Sequence, residues 1–171
     1  MKRTFVSIGS NVERELHVRR AIDELRERFG TVLVSQVYET ASVGFSGDPF
    51  LNLVAGFDTD LELDELVDTL RGVETRNARH RTEKRYGPRT LDIEVLVFGD
   101  MICDEDPIEL PRSEITRQAY VLLPLAELAP NAQHSVFGER YADMCSRLNL
   151  DTSGMHPVEL SLGLGLMSSG Q

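Results

Sequence analysis

Two carboxylates at alternate positions, Asp92 and Glu94, are the residues of this chain best suited to holding a metal ion. The residues around them alternate in character and predict a β-strand; the apolar set is Leu91, Ile93, Val95 and Val97. Side chains two apart on a strand share a face, with Cα atoms about 6.5 to 7 Å apart. Oxygen donors at that separation suit one Mg²⁺ between them or one each of two.

A cationic turn precedes this acidic strand. Gly87 and Pro88 are typical of a turn, because proline lacks an N–H and glycine frees the backbone, and Arg89 follows at the mouth of the strand. The stretch from Arg71 to Arg89 holds two acidic and seven basic residues, namely Arg71, Arg76, Arg79, Arg81, Lys84, Arg85 and Arg89. Cations beside paired carboxylates suit a metal-bound nucleotide, although a solvated basic loop is the plainer alternative.

Asp92 and Glu94 also have a plainer interpretation, as the solvent-exposed face of a half-buried antiparallel strand. Strict alternation places Leu96 and Phe98 on the same face as Asp92 and Glu94. A face that turns apolar within one strand is not simply solvated, and this favours a site.

Composition bounds the class of protein. The 171 residues fit one domain, which we assign to residues 1–150, and residues 151–171 form a weakly patterned tail, either loosely held or pairing at a sheet edge. The formal net charge of −10 argues against nucleic-acid or anionic-membrane partners. The first residues lead into a strand pattern without a long apolar signal region, so we expect a cytoplasmic protein. Cys103 and Cys145 show no zinc spacing with the histidines.

Hydrophobic periodicity predicts the order strand, helix, strand, strand, helix, strand, an α+β fold with a ferredoxin-like βαββαβ core and helices packed on an antiparallel sheet. The predicted elements are a strand over 4–8, a helix from Val18 to Phe29, strands over 31–38 and 50–57, a helix from Leu63 to Val73 with a capping box at Thr59 and Glu62, and the acidic strand. A hairpin turning at 104–107 and a helical extension over 119–128, interrupted near Pro124, follow.

With these motifs in place, the chain resembles the 6-hydroxymethyl-7,8-dihydropterin pyrophosphokinase family. The resemblance extends to about Ala129, and its most specific part is Arg85 to Gly99; Ile8 to Asn11 and Tyr38 to Asn52 also match. It implies a ferredoxin-like core and transfer of pyrophosphate from ATP to a pterin alcohol, with two Mg²⁺ ions and release of AMP. The chain has no GxxxxGK[ST] loop, so side chains and metal must hold the phosphates.

The resemblance also implies roles for individual residues. Asp92 and Glu94 would hold the metal ions and act in catalysis together with Arg81 and Arg89. The residues expected to contact ATP are Arg79, Arg81, Arg89 and Arg112. Those expected to contact the pterin, between the rings of Phe50 and Tyr120, are Thr40, Val43, Phe50, Asn52, Tyr86 and Tyr120. We expect a monomer that binds ATP and the pterin.

Four positions depart from the family pattern. Glu94 stands where Asp is usual, Arg112 where His is expected, Gln118 where Arg is frequent and Ala41 in place of a loop Pro. Mg²⁺ demands near-ideal geometry at about 2.0 to 2.1 Å, and an error of about 1 Å can cost about a hundredfold in rate. Because adjustment of the backbone can absorb the extra methylene of Glu94, we expect lower activity rather than none. An active enzyme is the leading hypothesis, and a divergent pterin- or nucleotide-binding protein is the second. An RNA-binding ferredoxin-like domain is disfavoured by the acidic net charge.

Overall fold

The computed structural model describes residues 1–42, 47–77 and 90–162, and these form an antiparallel sheet with helices on both faces. Its strands are β1 (Lys2–Ser10), β2 (Leu33–Val34), β3 (Val37–Thr40), β4 (Phe50–Thr59), β5 (Asp92–Phe98) and, beyond a separate hairpin of β6 (Cys103–Glu105) and β7 (Ile108–Leu110), β8 (Met155–Val158). The helices are α1 (Arg14–Phe29), α2 (Leu63–Arg76), α3 (Ala119–Leu128) and α4 (Tyr141–Leu148). The strand order is β5-β1-β4-β3-β8, and β2 also pairs with β4.

The βαββαβ core is confirmed. β1 lies between β4 and β5, and α1 and α2 pack together on one face of the sheet. The core between them is built from inward-facing strand residues and the apolar stripes of the helices, including Val6, Ile8, Val18, Ile22, Leu25, Leu53, Phe57, Leu66, Leu70 and Ile93. Gly30 ends α1 with φ 80°, a conformation that glycine adopts without strain.

A second apolar cluster covers the opposite face of the sheet. Phe5, Val54 and Leu96 contribute from the strands, and α3 and α4 pack over them. Helix α4 was not predicted, although its apolar positions follow helical spacing at Tyr141, Met144, Cys145 and Leu148. The sheet is therefore the middle of three layers.

Three predicted details are wrong. The strand over 31–38 is divided into β2 and β3, because Ser35 exchanges bonds with Val54: the Ser35 N–H donates to the Val54 carbonyl, and the Val54 N–H donates to Ser35 Oγ. The capping box of α2 joins Glu62 and Glu65 rather than Thr59 and Glu62. Helix α3 continues through Pro124, which lies buried inside it.

The C-terminal segment adds an edge strand. β8 pairs with β3, and Gln36 Nε2 donates a hydrogen bond of 2.9 Å to the Val158 carbonyl. Beyond β8, Leu162 is buried against the core, and its carbonyl accepts a bond from Arg26 Nη1. The predicted hairpin is present as β6 and β7. Among the described residues, none of the helices combines the length and apolar character needed to cross a membrane.

Substitution of Gly56 tests how tightly the second apolar cluster is packed. A Cβ at this position would lie 2.7 Å from Cε1 of Phe5, its register partner on β1. Overpacking of this kind forces a buried ring to move, so Gly56→Ala should lower the free energy of unfolding by about 1 to 3 kcal/mol in urea denaturation. Gly154→Ala is the control, since a Cβ there meets no heavy atom within 4 Å. A Gly56→Ala protein as stable as the control contradicts the packing described.

Candidate active site

The register of the sheet aligns four residues from four strands in one row. Asp92 of β5 lies opposite Gly9 of β1, Gly9 lies opposite Asn52 of β4, and Asn52 lies opposite Tyr38 of β3. Residues directly opposite each other in antiparallel strands share a face. The sheet thus presents a carboxylate and an amide on the face that carries α3 and α4.

Gly9 keeps the centre of this row open. A Cβ at Gly9 would lie 3.1 Å from Asn52 Oδ1 and 3.9 Å from a ring carbon of Phe50. Neighbouring strands are about 4.8 Å apart, so the backbones of Asp92 and Asn52 are separated by about 10 Å with a bare glycine between them. The backbone at Gly9 therefore forms an open surface, the floor of the candidate site, and a flat group can bind above it. From the sequence alone, Gly9 is typical of an ordinary strand-to-helix turn, and its place in the site comes from pairing.

The amide of Asn52 is held in one orientation by the neighbouring strand. Its Nδ2 donates a 2.5 Å hydrogen bond to Oγ1 of Thr40, which is 9% exposed. Phe50, the register partner of Thr40, lies on the same face one row further along. On either side of the undescribed residues 43–46, Ser42 and Asp48 are in contact: Ser42 Oγ and Asn11 Nδ2 both donate to the Asp48 carbonyl. Thr40, Phe50 and Asn52, all predicted for one pocket, are thus brought together.

Tyr120 lies in the first turn of α3 and packs against the apolar cluster on the same face of the sheet. Its pKa is raised, first by burial and then by the negative charges of Glu114 and Asp92. An effect of Asp92 on this phenol places the predicted metal carboxylate and the predicted stacking ring within electrostatic reach of each other.

The strand carrying the acids confirms most of the predicted alternation and corrects two positions, because Val97 lies in the cluster on the face of the acids and Phe98 does not. Glu94 lies opposite Ser7 and Asp92 opposite Gly9, so the two carboxylates share a face, and Leu96 joins the apolar cluster on that face. Phe98 instead packs in the other core. The reason is a β-bulge: Val6 pairs with Val95 and Phe5 with Val97, leaving Leu96 as the extra residue and reversing the sidedness beyond it.

Glu94 is engaged by Arg112. Arg112 Nη1 lies 2.8 Å from Glu94 Oε2, and its Nη2 and Nε contact the Glu114 carboxylate at 3.2 and 3.3 Å. Burial would lower the pKa of Arg112, but Glu94, Glu114 and Glu109 outweigh burial and raise the pKa. Glu114 responds in the opposite direction, since Arg112 and Arg117 lower the pKa of its carboxyl against the effect of burial. Arg112, predicted to contact ATP, therefore neighbours a predicted metal carboxylate.

A cavity of about 370 Å³ opens beside Glu94 and Arg112, between α2, β5 and the β6–β7 hairpin. One part of its lining is apolar, from Leu63, Val67, Leu70, Ile93, Val95 and Ile108, and the other is polar, from Arg71, Glu74, Glu94, Glu109 and Arg112. The buried Glu74 joins two sides of this cavity, α2 and β5, because its Oε1 accepts the Ile93 N–H of β5 at 2.9 Å. This cavity could hold a group with one apolar and one charged end.

The donor set at Asp92 and Glu94 fits a hard divalent cation. Among residues 1–42, 47–77 and 90–162, no three or more His, Cys, Asp or Glu side chains gather in a metal-holding group. The described part of the chain therefore offers two same-face carboxylates, and water or substrate oxygens must complete the coordination. Mg²⁺ binds in this way, through one or two carboxylates plus substrate phosphates.

Several predicted residues lie outside the described ranges. They are Val43, predicted for the pterin, Tyr86, predicted for the same pocket, and the cations Arg79, Arg81 and Arg89. The described residues on either side of 78–89 are held by hydrogen bonds. The buried Asn77 bonds to His17 at 2.8 Å, and Ser10 Oγ donates to the Thr90 carbonyl at 2.5 Å.

A family profile described as 7,8-dihydro-6-hydroxymethylpterin-pyrophosphokinase (HPPK) matches residues 5–130 of this chain. A Pseudomonas aeruginosa protein named 2-amino-4-hydroxy-6-hydroxymethyldihydropteridine pyrophosphokinase is 36% identical over 135 residues, covering 77% of this chain and 83% of that protein. A Methylorubrum extorquens protein of the same name is 31% identical over 163 residues, covering 93% of this chain and 100% of the relative.

Solved structures show the same fold. The crystal structure of Plasmodium falciparum HPPK-DHPS wild type with SDX-DHP superposes with a TM-score of 0.68 at 12% identity, over 94% of this chain and 48% of that one. A structure described as HPPK-DHPS in complex with substrates gives a TM-score of 0.64 at 12% identity, over 85% and 43% of the two chains. This chain thus spans about half the length of those structures.

The proximity of Asp92 to Tyr120 can be measured without any ligand. Asp92→Asn removes one of the charges that raise the pKa of Tyr120, so that pKa should fall while burial and Glu114 keep it above the ordinary 10. The measurement is an NMR titration of the tyrosine Cζ resonance. Asp143→Asn, which removes a carboxylate paired with Arg140 instead, should leave the Tyr120 titration unchanged. Equal titrations in both variants would mean that Asp92 and Tyr120 are not neighbours.

Proposed function

The chain belongs to the 7,8-dihydro-6-hydroxymethylpterin-pyrophosphokinase family, and we propose that it transfers pyrophosphate from ATP to the hydroxymethyl group of 6-hydroxymethyl-7,8-dihydropterin, releasing AMP. This is a reaction of folate biosynthesis. The observation that carries the proposal is the row of Asp92, Gly9 and Asn52, which provides a metal carboxylate and an orienting amide on either side of an open floor.

The pterin ring would bind above Gly9 with one edge toward Asn52. Asn52 offers donor and acceptor atoms to the amide edge of the heterocycle, with Thr40 fixing which end of the amide faces which way. Phe50 and Tyr120 would stack on the ring faces, and Val43 and Tyr86 would complete the pocket. A flat aromatic ligand gains both burial and offset stacking from such neighbours.

The nucleotide would occupy the cavity between α2 and the β6–β7 hairpin. Its base and ribose suit the apolar lining, and its phosphates would point toward Glu94 and Arg112. We assign Arg79, Arg81, Arg89 and Arg112 to the phosphates, because guanidinium groups bind phosphate oxygens in a planar fork. Asp92 and Glu94 would hold two Mg²⁺ ions there.

Positioning and charge neutralisation are sufficient for this chemistry. The attacking oxygen is the hydroxymethyl group of the pterin, so the protein needs no nucleophile of its own, and its task is to align that oxygen with the β-phosphorus. Arg81 and Arg89 would stabilise the charge that develops on the phosphate oxygens. When bound, Mg²⁺ would neutralise part of the phosphate charge.

The remaining proposals concern binding partners, oligomeric state and location in the cell. The acidic net charge of −10 supports small anionic ligands bound at a local cationic site rather than nucleic acid or membrane. We propose a monomer that acts in the cytoplasm.

Substitution of Asp92 should lower the catalytic activity most. With ATP, Mg²⁺ and the pterin alcohol, the parent protein should form AMP in a pterin-dependent manner, and Asp92→Asn should lower kcat by about 10²- to 10³-fold through loss of transition-state charge stabilisation. Chromatographic quantification of AMP measures both. Asp143→Asn serves as the carboxylate control on α4. The proposal is wrong if the parent forms no pterin-dependent AMP.

Asn52 should control pterin affinity separately from nucleotide affinity. Asn52→Leu removes donor and acceptor from a half-buried site, and the unpaired pterin edge should raise the KM for the pterin by about 10- to 100-fold, corresponding to about 1 to 3 kcal/mol. The KM for ATP should stay within about twofold. Steady-state kinetics with each substrate varied in turn gives both constants, and a parallel rise in both KM values would contradict an orienting role for this amide.

A further inference from the structure

The ion pair between Arg112 and Glu94 has a geometry that ties the cation to the edge strand. The Arg112 N–H donates to the Leu96 carbonyl at 3.0 Å, which fixes its backbone beside β5, and its guanidinium reaches back two residues to Glu94. The Arg112 side chain is 23% exposed, and those of Glu94 and Glu114 are 41% and 39% exposed. This is a partly buried cation set between two carboxylates.

Two charged ligands compete for the same carboxylate. Glu94 Oε2 lies at ion-pair distance from Arg112, yet oxygens of Glu94 are also the donors expected to hold a divalent cation. A guanidinium in contact with a carboxylate lowers its attraction for a second cation, because opposite charges at this distance largely cancel. Any ion that takes this oxygen must displace the guanidinium or share the carboxylate with it.

Resting on the function proposed above, we propose that Arg112 is a positioning residue that holds Glu94 in the empty enzyme and releases it to the incoming divalent cation. The freed guanidinium then turns to the phosphates that arrive with that cation. Glu114 keeps the side chain in place during the exchange, since it contacts both Nη2 and Nε. The extra methylene of Glu94, relative to Asp, is what lets the carboxylate reach Arg112.

This exchange predicts that removing Arg112 strengthens metal binding, whereas a group that only contacts phosphate would leave nucleotide-free metal binding unchanged. The probe is Mn²⁺, which prefers the same oxygen donors as Mg²⁺. Electron paramagnetic resonance of the free ion gives its dissociation constant on the whole chain without nucleotide. Arg112→Gln should bind Mn²⁺ about 3- to 10-fold more tightly than the parent.

Three variants separate this effect from simpler causes. Arg3→Gln also removes one positive charge, from an arginine that pairs with Asp58. Arg3 lies four residues along β1 from Ser7, the register partner of Glu94, so this variant should change Mn²⁺ affinity by less than twofold. Arg112→Lys keeps the charge, so it should stay closer to the parent than Arg112→Gln does. Glu94→Asp shortens the side chain by about 1.5 Å. In that background Arg112→Gln should have less than a twofold effect, because the pair is already broken.

The results distinguish the inference from the function on which it rests. Equal Mn²⁺ affinity of the parent and Arg112→Gln, or a gain that persists in the Glu94→Asp background, overturns the exchange while pterin-dependent AMP formation by the parent still stands. Absence of that AMP formation overturns the function whatever the Mn²⁺ result. Circular dichroism of each variant checks that the fold is retained. If Arg112→Gln does not fold, Arg112→Ala, which also removes the charge, replaces it and should show the same gain in Mn²⁺ affinity and the same loss of that gain in the Glu94→Asp background.

Discussion

The register of β1 between its two antiparallel neighbours is the constraint on which the site depends. It sets Gly9 opposite Asp92 on one side and opposite Asn52 on the other. A shift of one residue in either pairing would turn the amide or the carboxylate to the opposite face of the sheet. The apolar core under α1 and α2 holds that register, so packing on one face of the sheet determines the geometry of the candidate site on the other face.

The edge strand β5 serves two purposes at once. It presents Asp92 and Glu94, and two of its backbone groups bond to other elements: Glu74 accepts the Ile93 N–H, and Arg112 donates to the Leu96 carbonyl. A covered edge resists pairing with other chains. These contacts also attach α2 and the segment after β7 to the strand, and the cavity beside the acids lies between them.

The charges around Glu94 are paired with each other within the protein. Arg112 stands between Glu94 and Glu114, so opposite charges are paired before any ligand arrives. Partly buried pairs of this kind add little net stability, but an unpaired charge in their place would be costly. Glu94 and Arg112, two of the positions expected to depart from the family pattern, are in contact with each other and so form one structural feature.

The sequence by itself determined the order of the βαββαβ core, because strand alternation in β1, β4 and β5 and the helical stripes of α1 and α2 are local patterns. The shared face of Asp92 and Glu94 follows from the same periodicity. The tertiary structure decided what periodicity cannot carry: the bulge that sends Phe98 to the other core, the place of Gly9 between Asp92 and Asn52, and the ion pair of Arg112. Each of these depends on which residues of distant segments meet, and pairing between segments leaves no periodic trace in either one.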